Sequence, residues 1–406
     1  MIAEYFEYED DCPQVPAVIV GSHKIGLGII RALGIKNVPI VSAYYSKNDM
    51  GYVSKYVVDK YFIANPIENE TVFIKQLVEI GKRYKNAVLF ASDDPTLLSV
   101  AKHRSILSEY FIVESNDINL IEKIIVKKNT YDIADKLGIL YPKTYNPISF
   151  EEAKEYYRLM GAGCILKPSI GHLFFNIFKK KMLIIRSIEE LKTAFDMIEG
   201  LNINMMMQEF IPGDDQQGAN YNLFSIKGNP IVEFTAQKIR LSPPNIGFPR
   251  VIVSKWIEDI IEPGRKIINY LNYNGFACLE FKKHAVNGKF YLMEVNGRQN
   301  LSTPLAVKCG YNFPYLTYRY LIDKSLPKVI SNFEQSIYWI DTGKDIIETI
   351  KSRKIEKLSF KEFIKPYFNQ NTQTIFDKSD LMPLFKRFID GIIITIKKLL
   401  NIIKRR

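Results

Sequence analysis

Two glutamates, Glu280 and Glu294, stand on segments that read as the arms of a hairpin. These are Gly275-Phe276-Ala277-Cys278-Leu279-Glu280-Phe281 and Lys289-Phe290-Tyr291-Leu292-Met293-Glu294, with the turn Asn287-Gly288 between them. Pairing of the arms brings two carboxylates close together. Like charges in a partly apolar setting repel unless a cation intervenes. Hard oxygen donors, here both carboxylates and the amide of Asn296, suit Mg²⁺, or Mn²⁺ in its place, bridging the phosphates of a nucleotide. The same residues admit a plainer arrangement, in which both glutamates face solvent and pair with Lys282 or Lys283.

Cations that could meet a developing negative charge lie nearby in the sequence. Arg298 follows Asn296, while Lys238 and Arg240 sit at a strand end before Pro243-Pro244. Lys238 and Arg240 are candidate catalytic residues by that position, with an ordinary salt bridge as the competing role, and Arg298 joins them through a family resemblance of the motif that ends on it. Other chemistries find less support. His23, His103, His172 and His284 are too scattered to hold one metal, and Cys12, Cys164, Cys278 and Cys309 form no CxxC pair, which fits a reduced, cytoplasmic setting. Gly21, Gly26 and Gly28 mark a strand-to-helix turn, but the next strand ends in Ser42-Ala43-Tyr44-Tyr45, without the acid that would grip a dinucleotide ribose. Close packing of helix on strand is the expected use of those glycines.

The run Glu294-Val295-Asn296-Gly297-Arg298, with an acid on the preceding strand, resembles the closing motif of the ATP-grasp superfamily. Further landmarks follow in that family's order. Val126-Lys127-Lys128-Asn129 is similar to the segment carrying the first nucleotide lysine, here assigned to Lys128, and Ile165-Leu166-Lys167-Pro168 is similar to the second. Gln208-Glu209-Phe210-Ile211-Pro212-Gly213-Asp214-Asp215 resembles the hinge that meets adenine, in the form found in amino-acid ligases of the D-aspartate ligase kind. The loop after Pro168 departs from the family, with Gly171 alone where several glycines are usual and Lys179, Lys180 and Lys181 behind it.

The resemblance implies ATP held by Lys128, Lys167, Gln208, Glu209, Phe210, Ile211, Asp214 and Asp215. It implies metal on Glu280, Glu294 and Asn296, with Arg298 at the reacting phosphate. The implied activity is ATP-dependent carboxylate–amine ligation of amino acids or peptides through an acyl phosphate, in the making of a cell-envelope precursor. Two alternatives stay open: a membrane-recruited nucleotide-binding protein with little catalysis, and phosphorylation of bicarbonate as in carbamoyl phosphate synthase or biotin carboxylase. Small carboxylate and amine substrates are the implied partners, nucleic acid is not, and a homodimer is left open.

The elements that must position these residues divide the chain. A βαβ opening at Ala17–Val20 and Val38–Ala43, and a third strand at Ala87–Ala91 running into the helix-capping Ser92-Asp93-Asp94-Pro95, give a parallel α/β domain over residues 1–116. Capping boxes at Ser149–Glu152 and Ser187–Glu190, with alternating strands up to Val295, give an α+β region, which the resemblance implies is a two-lobed ATP-grasp domain over 117–325, its small lobe at about 125–212. Residues 326–380 form a weakly patterned extension.

The net charge is +11, from 55 basic and 44 acidic residues. Much of the excess is terminal: over 381–406, Lys386, Arg387, Lys397, Lys398, Lys404, Arg405 and Arg406 face only Asp390. In the same segment Phe385, Phe388, Ile389, Ile392, Ile393, Ile396, Leu399, Leu400 and Ile403 recur at helical spacing. A basic amphipathic helix of this kind lies on an anionic membrane surface or docks on its own protein, and the cationic polar face favours the membrane. Lys397 and Lys398 argue against a span. The acidic start, Met1 to Pro13, lacks the features of a secretory signal, so a cytoplasmic protein, peripheral at the inner membrane face, is expected.

Overall fold

The computed structural model describes residues 6–8, 13–114, 116–160, 163–168, 182–198, 205–329 and 332–403. A five-stranded parallel sheet comes first, in the order Val57–Phe62, Ile40–Tyr44, Ala17–Val20, Ala87–Ala91, Phe111–Ile112. Ala17–Val20 and Ala87–Ala91 are unbroken apolar runs because both faces are covered. Val18, Val41 and Leu89 pack on Phe73, Ile74 and Leu77 of helix Glu70–Arg83. On the other face Ile19, Ile40 and Val88 meet Ile29 and Leu33 of helix Lys24–Gly34, together with Tyr315 and Tyr318 from the distant helix Phe313–Asp323. Gly21 leaves the first strand with φ +85°, and a Cβ there would stand 2.3 Å from Ser92 Oγ. Close approach of two chain segments is therefore what this glycine permits.

A four-stranded antiparallel sheet follows, in the order Thr144–Tyr145, Met205–Glu209, Cys164–Pro168, Leu183–Ile185. Helices Phe150–Met160 and Ile188–Asp196 bury Ala153, Met160, Leu191 and Ala194 against it. Ser149 and Ser187 cap these helices through the amides of Glu152 and Glu190, each at 3.2 Å. The expected phosphate-covering loop, from Ser169 to Lys181, lies outside the described residues.

The third sheet has seven strands, in the order Phe290–Asn296, Gly275–Lys283, Gly218–Ile226, Asn229–Ser242, Phe248–Ser254, Tyr338–Ile340, Asn371–Gln373. One face packs on helix Ile261–Tyr270 through Tyr221, Leu223, Ile267 and Ile268, and the other on Leu305, Phe313 and Leu316. The weakly patterned stretch after 324 thus extends the sheet. Tyr338–Ile340 pairs antiparallel with Phe248–Ser254, and Asn371–Gln373 runs parallel beside it. Helices Thr342–Glu356 and Phe360–Phe368 connect those two short strands. The chain closes in the expected helix, Met382–Ile403, and among the described residues no helix is long and apolar enough to cross a membrane.

Candidate active site

The hairpin at the edge of the large sheet sets Glu280 directly opposite Glu294 and Cys278 opposite Asn296. Because side chains alternate along a strand, Glu294 and Asn296 share one face. All three line a cleft of about 1130 Å³ together with Lys127, Lys167, Lys238 and Arg298. Lys238 Nζ donates to Glu280 Oε2 at 2.5 Å, and Lys127 Nζ to Glu294 Oε2 at 3.4 Å. The two glutamates therefore do not pair with Lys282 and Lys283, which lie over the rings of Phe210 and Phe290. Burial by itself would raise the Glu280 carboxyl, but Lys238, Lys127 and Arg298 outweigh it and hold the group below the usual carboxylate range. Burial pulls Lys127 and Lys238 down and the facing glutamates lift them further, so both sit above the ordinary lysine value.

Lys167 is a different case. It is half-buried, with the charge of Lys127 near, and desolvation and that charge lower its ammonium to about 8. Its Nζ donates to Gln208 Oε1 at 2.9 Å, while Gln208 Nε2 donates to Tyr131 OH at 2.9 Å and to Thr144 Oγ1 at 3.2 Å. Gln208, 1% exposed, thus aims a lysine rather than standing free to meet a ligand.

Of the two adjacent lysines at the start of helix Lys127–Lys136, it is Lys127 that reaches the cleft, whereas Lys128, the expected one, is exposed on the helix surface. Successive helical residues point about 100° apart. Lys127 shares a face with Tyr131, four residues on, whose buried hydroxyl donates to Met293 O at 3.0 Å and so ties that face to the glutamate strand.

The hinge divides by strand alternation. Phe210, Ile211, Asp214 and Asp215 line the cleft with Gln208, but Glu209 does not. Its carboxylate turns away and accepts from Lys143 N at 3.0 Å. Asp214 caps a short turn through Gln216 N at 2.8 Å. Asp215 accepts from Leu241 N at 2.7 Å and Asn245 N at 2.5 Å, fixing the loop that forms the far wall of the cleft. Both aspartates border the site while their oxygens serve the backbone.

Arg240 leaves the site altogether. Simple alternation would put it beside Lys238, but the pairing with Phe248–Ser254 shifts register on either side of Arg240. The side chain is 3% exposed and forms a fork on Asp345, Nε to Oδ1 at 2.9 Å and Nη2 to Oδ2 at 2.7 Å. Arg298 stays, but it is shared. It grips Asp94 at 2.7 and 2.9 Å and donates to Asn296 Oδ1 at 3.2 Å, joining the first domain to the hairpin. Asp93, by contrast, caps helix Asp94–Lys102 through Thr96 N at 2.9 Å.

The donor set fits a hard divalent cation: two carboxylates face each other across one register position, an amide oxygen adjoins them, and lysines balance the charge. Sequence reasoning missed Lys127, Tyr131 and the wall formed by Ser242, Pro243, Ile246, Phe248, Pro249 and Ile355. The Lys127/Tyr131 spacing was a usable signal, but Ile355 comes from a remote helix and carried none.

No protein-family model matches the chain. It is 26% identical to D-aspartate ligase of Enterococcus faecium over 392 residues, 89% of this chain and 90% of that one. In structure it is similar to L-amino acid ligase from Bacillus licheniformis, with a TM-score of 0.59 at 16% identity over 77% of this chain and 74% of the other. It is also similar to N5-carboxyaminoimidazole ribonucleotide synthetase in its ADP complex, with a TM-score of 0.62 at 14% identity over 84% and 85%. The chain has the ATP-grasp fold that its landmarks from Lys128 to Arg298 implied, and D-aspartate ligase is its relative in sequence.

Proposed function

We propose that the chain is an ATP-dependent carboxylate–amine ligase that joins amino acids or peptides through an acyl phosphate, releasing ADP. The observation that carries this reading is the facing pair Glu280 and Glu294, with Asn296, in a cleft where Lys127, Lys167, Lys238 and Arg298 also converge. The relationship to D-aspartate ligase supports it.

Mg²⁺ on Glu280, Glu294 and Asn296 would neutralise phosphate charge and draw electron density from the γ-phosphorus. Lys167, aimed by Gln208, and Lys127 bind phosphate oxygens. Phe210 and Ile211 offer the apolar surface on which an adenine lies. Lys238 and Arg298 stand at the glutamate end, where a substrate carboxylate attacking the γ-phosphate meets two cations. They orient that carboxylate and stabilise the charge that develops as the oxygen–phosphorus bond forms and ADP departs. An amine then displaces phosphate from the acyl phosphate to give the amide. Arg298 ties this step to Asp94, so first-domain loops border the acceptor.

In this reading the amide product feeds cell-envelope precursor synthesis in the cytoplasm, and the basic amphipathic tail helix gives peripheral contact with the membrane. ADP release, followed with a panel of amino acids and Mg²⁺, tests the reading. Activity requires a carboxylate and an amine together, and Glu294→Gln lowers kcat by about 10³-fold or more. An unchanged rate in that variant, or turnover that depends on bicarbonate and not on an amine, overturns it.

A further inference from the structure

Helix Thr342–Glu356 is amphipathic in the wrong sense for a surface helix. Its polar side faces the protein. Asp345 accepts from Arg240 and Arg250, Glu348 from Ser242 Oγ at 2.8 Å, Thr349 Oγ1 from Arg250 at 2.6 Å, and Glu356 pairs with Arg250. Its apolar residues face outward, with Ile350 and Ile355 each 68% exposed and Ile347 55%. The next helix, Phe360–Phe368, continues the pattern with Phe360 76% and Phe368 84% exposed. The tail helix repeats it where its side chains are described: Lys386 and Asp390 pair against the body, while Phe385, Phe388 and Ile389 point out.

The charges sort the same way. Lys351, Arg353, Lys354, Lys357, Lys361 and Lys365 are exposed and form no salt bridge among the described residues, whereas Asp345, Glu348 and Glu356 are turned inward and Glu362 accepts from Ser359 N in a capping box. The outer surface therefore presents isoleucines and phenylalanines among an excess of cations. It also adjoins the cleft, because Ile355 and Phe248 line the cleft and are exposed at its rim.

We propose that the outer face of residues 342–368 docks on an anionic lipid surface, its apolar side chains entering the headgroup boundary and its lysines meeting the lipid charge. Each alternative occupant leaves one half of the pattern unused. A second copy of the chain would set two cationic faces against each other. Nucleic acid would engage the lysines but leave Ile347 and Ile350 in water. Docked in this way, the mouth of the cleft stands beside the headgroups. The docking is independent of the ligase reading and of the tail, because different residues carry each.

The test is flotation of the full-length protein with vesicles of phosphatidylcholine alone or with about one-third phosphatidylglycerol. Three variants are compared with the wild type: Ile350→Ser with Phe360→Ser and Phe368→Ser, Lys351→Glu with Lys354→Glu, and Phe388→Ser with Ile389→Ser in the tail. The proposal expects binding to the anionic vesicles only. The apolar triple variant and the lysine pair should each lower the bound fraction about tenfold or more with the tail intact, at unchanged ADP release from soluble substrates. The tail variant should retain part of its binding. If both extension variants float as the wild type does, or if the lysine pair loses binding to polyuridylate and not to lipid, the proposal is overturned. The lysine pair, at exposed positions, keeps the test decisive if the triple variant folds poorly.

Discussion

Two networks of charge lie side by side on the same sheet and do opposite work. Lys238 meets Glu280 across the open cleft, where side chains of Glu280 and Glu294 are 29% and 38% exposed. Two residues further along the same strand, Arg240 meets Asp345, which is fully buried along with Arg250. The open network holds like charges near each other under water's screening, in a state that a polyanion and a cation can rearrange. The closed one satisfies Asp345 completely, with Arg240 on both oxygens, Arg250 on one and Tyr367 on the other. Charge of the same kind serves chemistry where donors are left over, and architecture where none are.

The sharpest way to break the comparison is in the closed network. Asp345→Ala strands the buried guanidinium of Arg240 and leaves Arg250 with Glu356 as its one carboxylate, so unfolding free energy should fall by about 3–5 kcal/mol, read by chemical denaturation. Activity per folded molecule should change far less than stability. A variant of wild-type stability would show that the Arg240–Asp345–Arg250 cluster does not hold the extension on the sheet. Lys238→Met tests the open network. It should lower kcat by about 10²–10³-fold while ATP affinity moves little, since the group acts on charge that develops in the transition state. If instead ATP affinity falls as much as kcat, Lys238 binds nucleotide rather than stabilising the attack.

This contrast also marks what could be read in advance. The apolar runs Ala17–Val20 and Ala87–Ala91 and the hairpin around Asn287-Gly288 follow from periodicity and turn chemistry, and the structure has them. Glu280 stands directly opposite Glu294 only because the register shifts between Glu280 and Phe281. Arg240 could not be placed, because a register shift breaks the alternation from which its direction was inferred, and no residue type announces the shift. Lys128 and Lys127 differ only in rotation about a helix axis, which the burial of Tyr131 decides and the sequence motif does not. The extension looked featureless for a related reason. In helix Thr342–Glu356 the buried stripe is polar, so no apolar periodicity marks the inward face.

The smallest effect, and the finest test of the open network, is its pH dependence. Lys167 titrates at about 8 because burial and Lys127 both disfavour its charge, well below the ordinary lysine value of 10.5. Phosphate oxygens favour the charged form, so nucleotide binding must raise this value. The sign follows: below about pH 8 the lysine is already protonated and affinity is full, whereas above it the proton must be taken up on binding. Affinity for ATP should therefore fall with rising pH, by up to tenfold per unit above about 8, until the bound-state value is passed. Lys167→Arg stays charged throughout and should flatten the profile between pH 7 and about 9.5. Gln208→Leu, which removes the acceptor that aims Lys167, should weaken ATP binding at every pH without moving the inflection far. A wild-type profile as flat as that of the arginine variant would mean that Lys167 is not the phosphate ligand, and that Lys127 alone holds that end of the nucleotide.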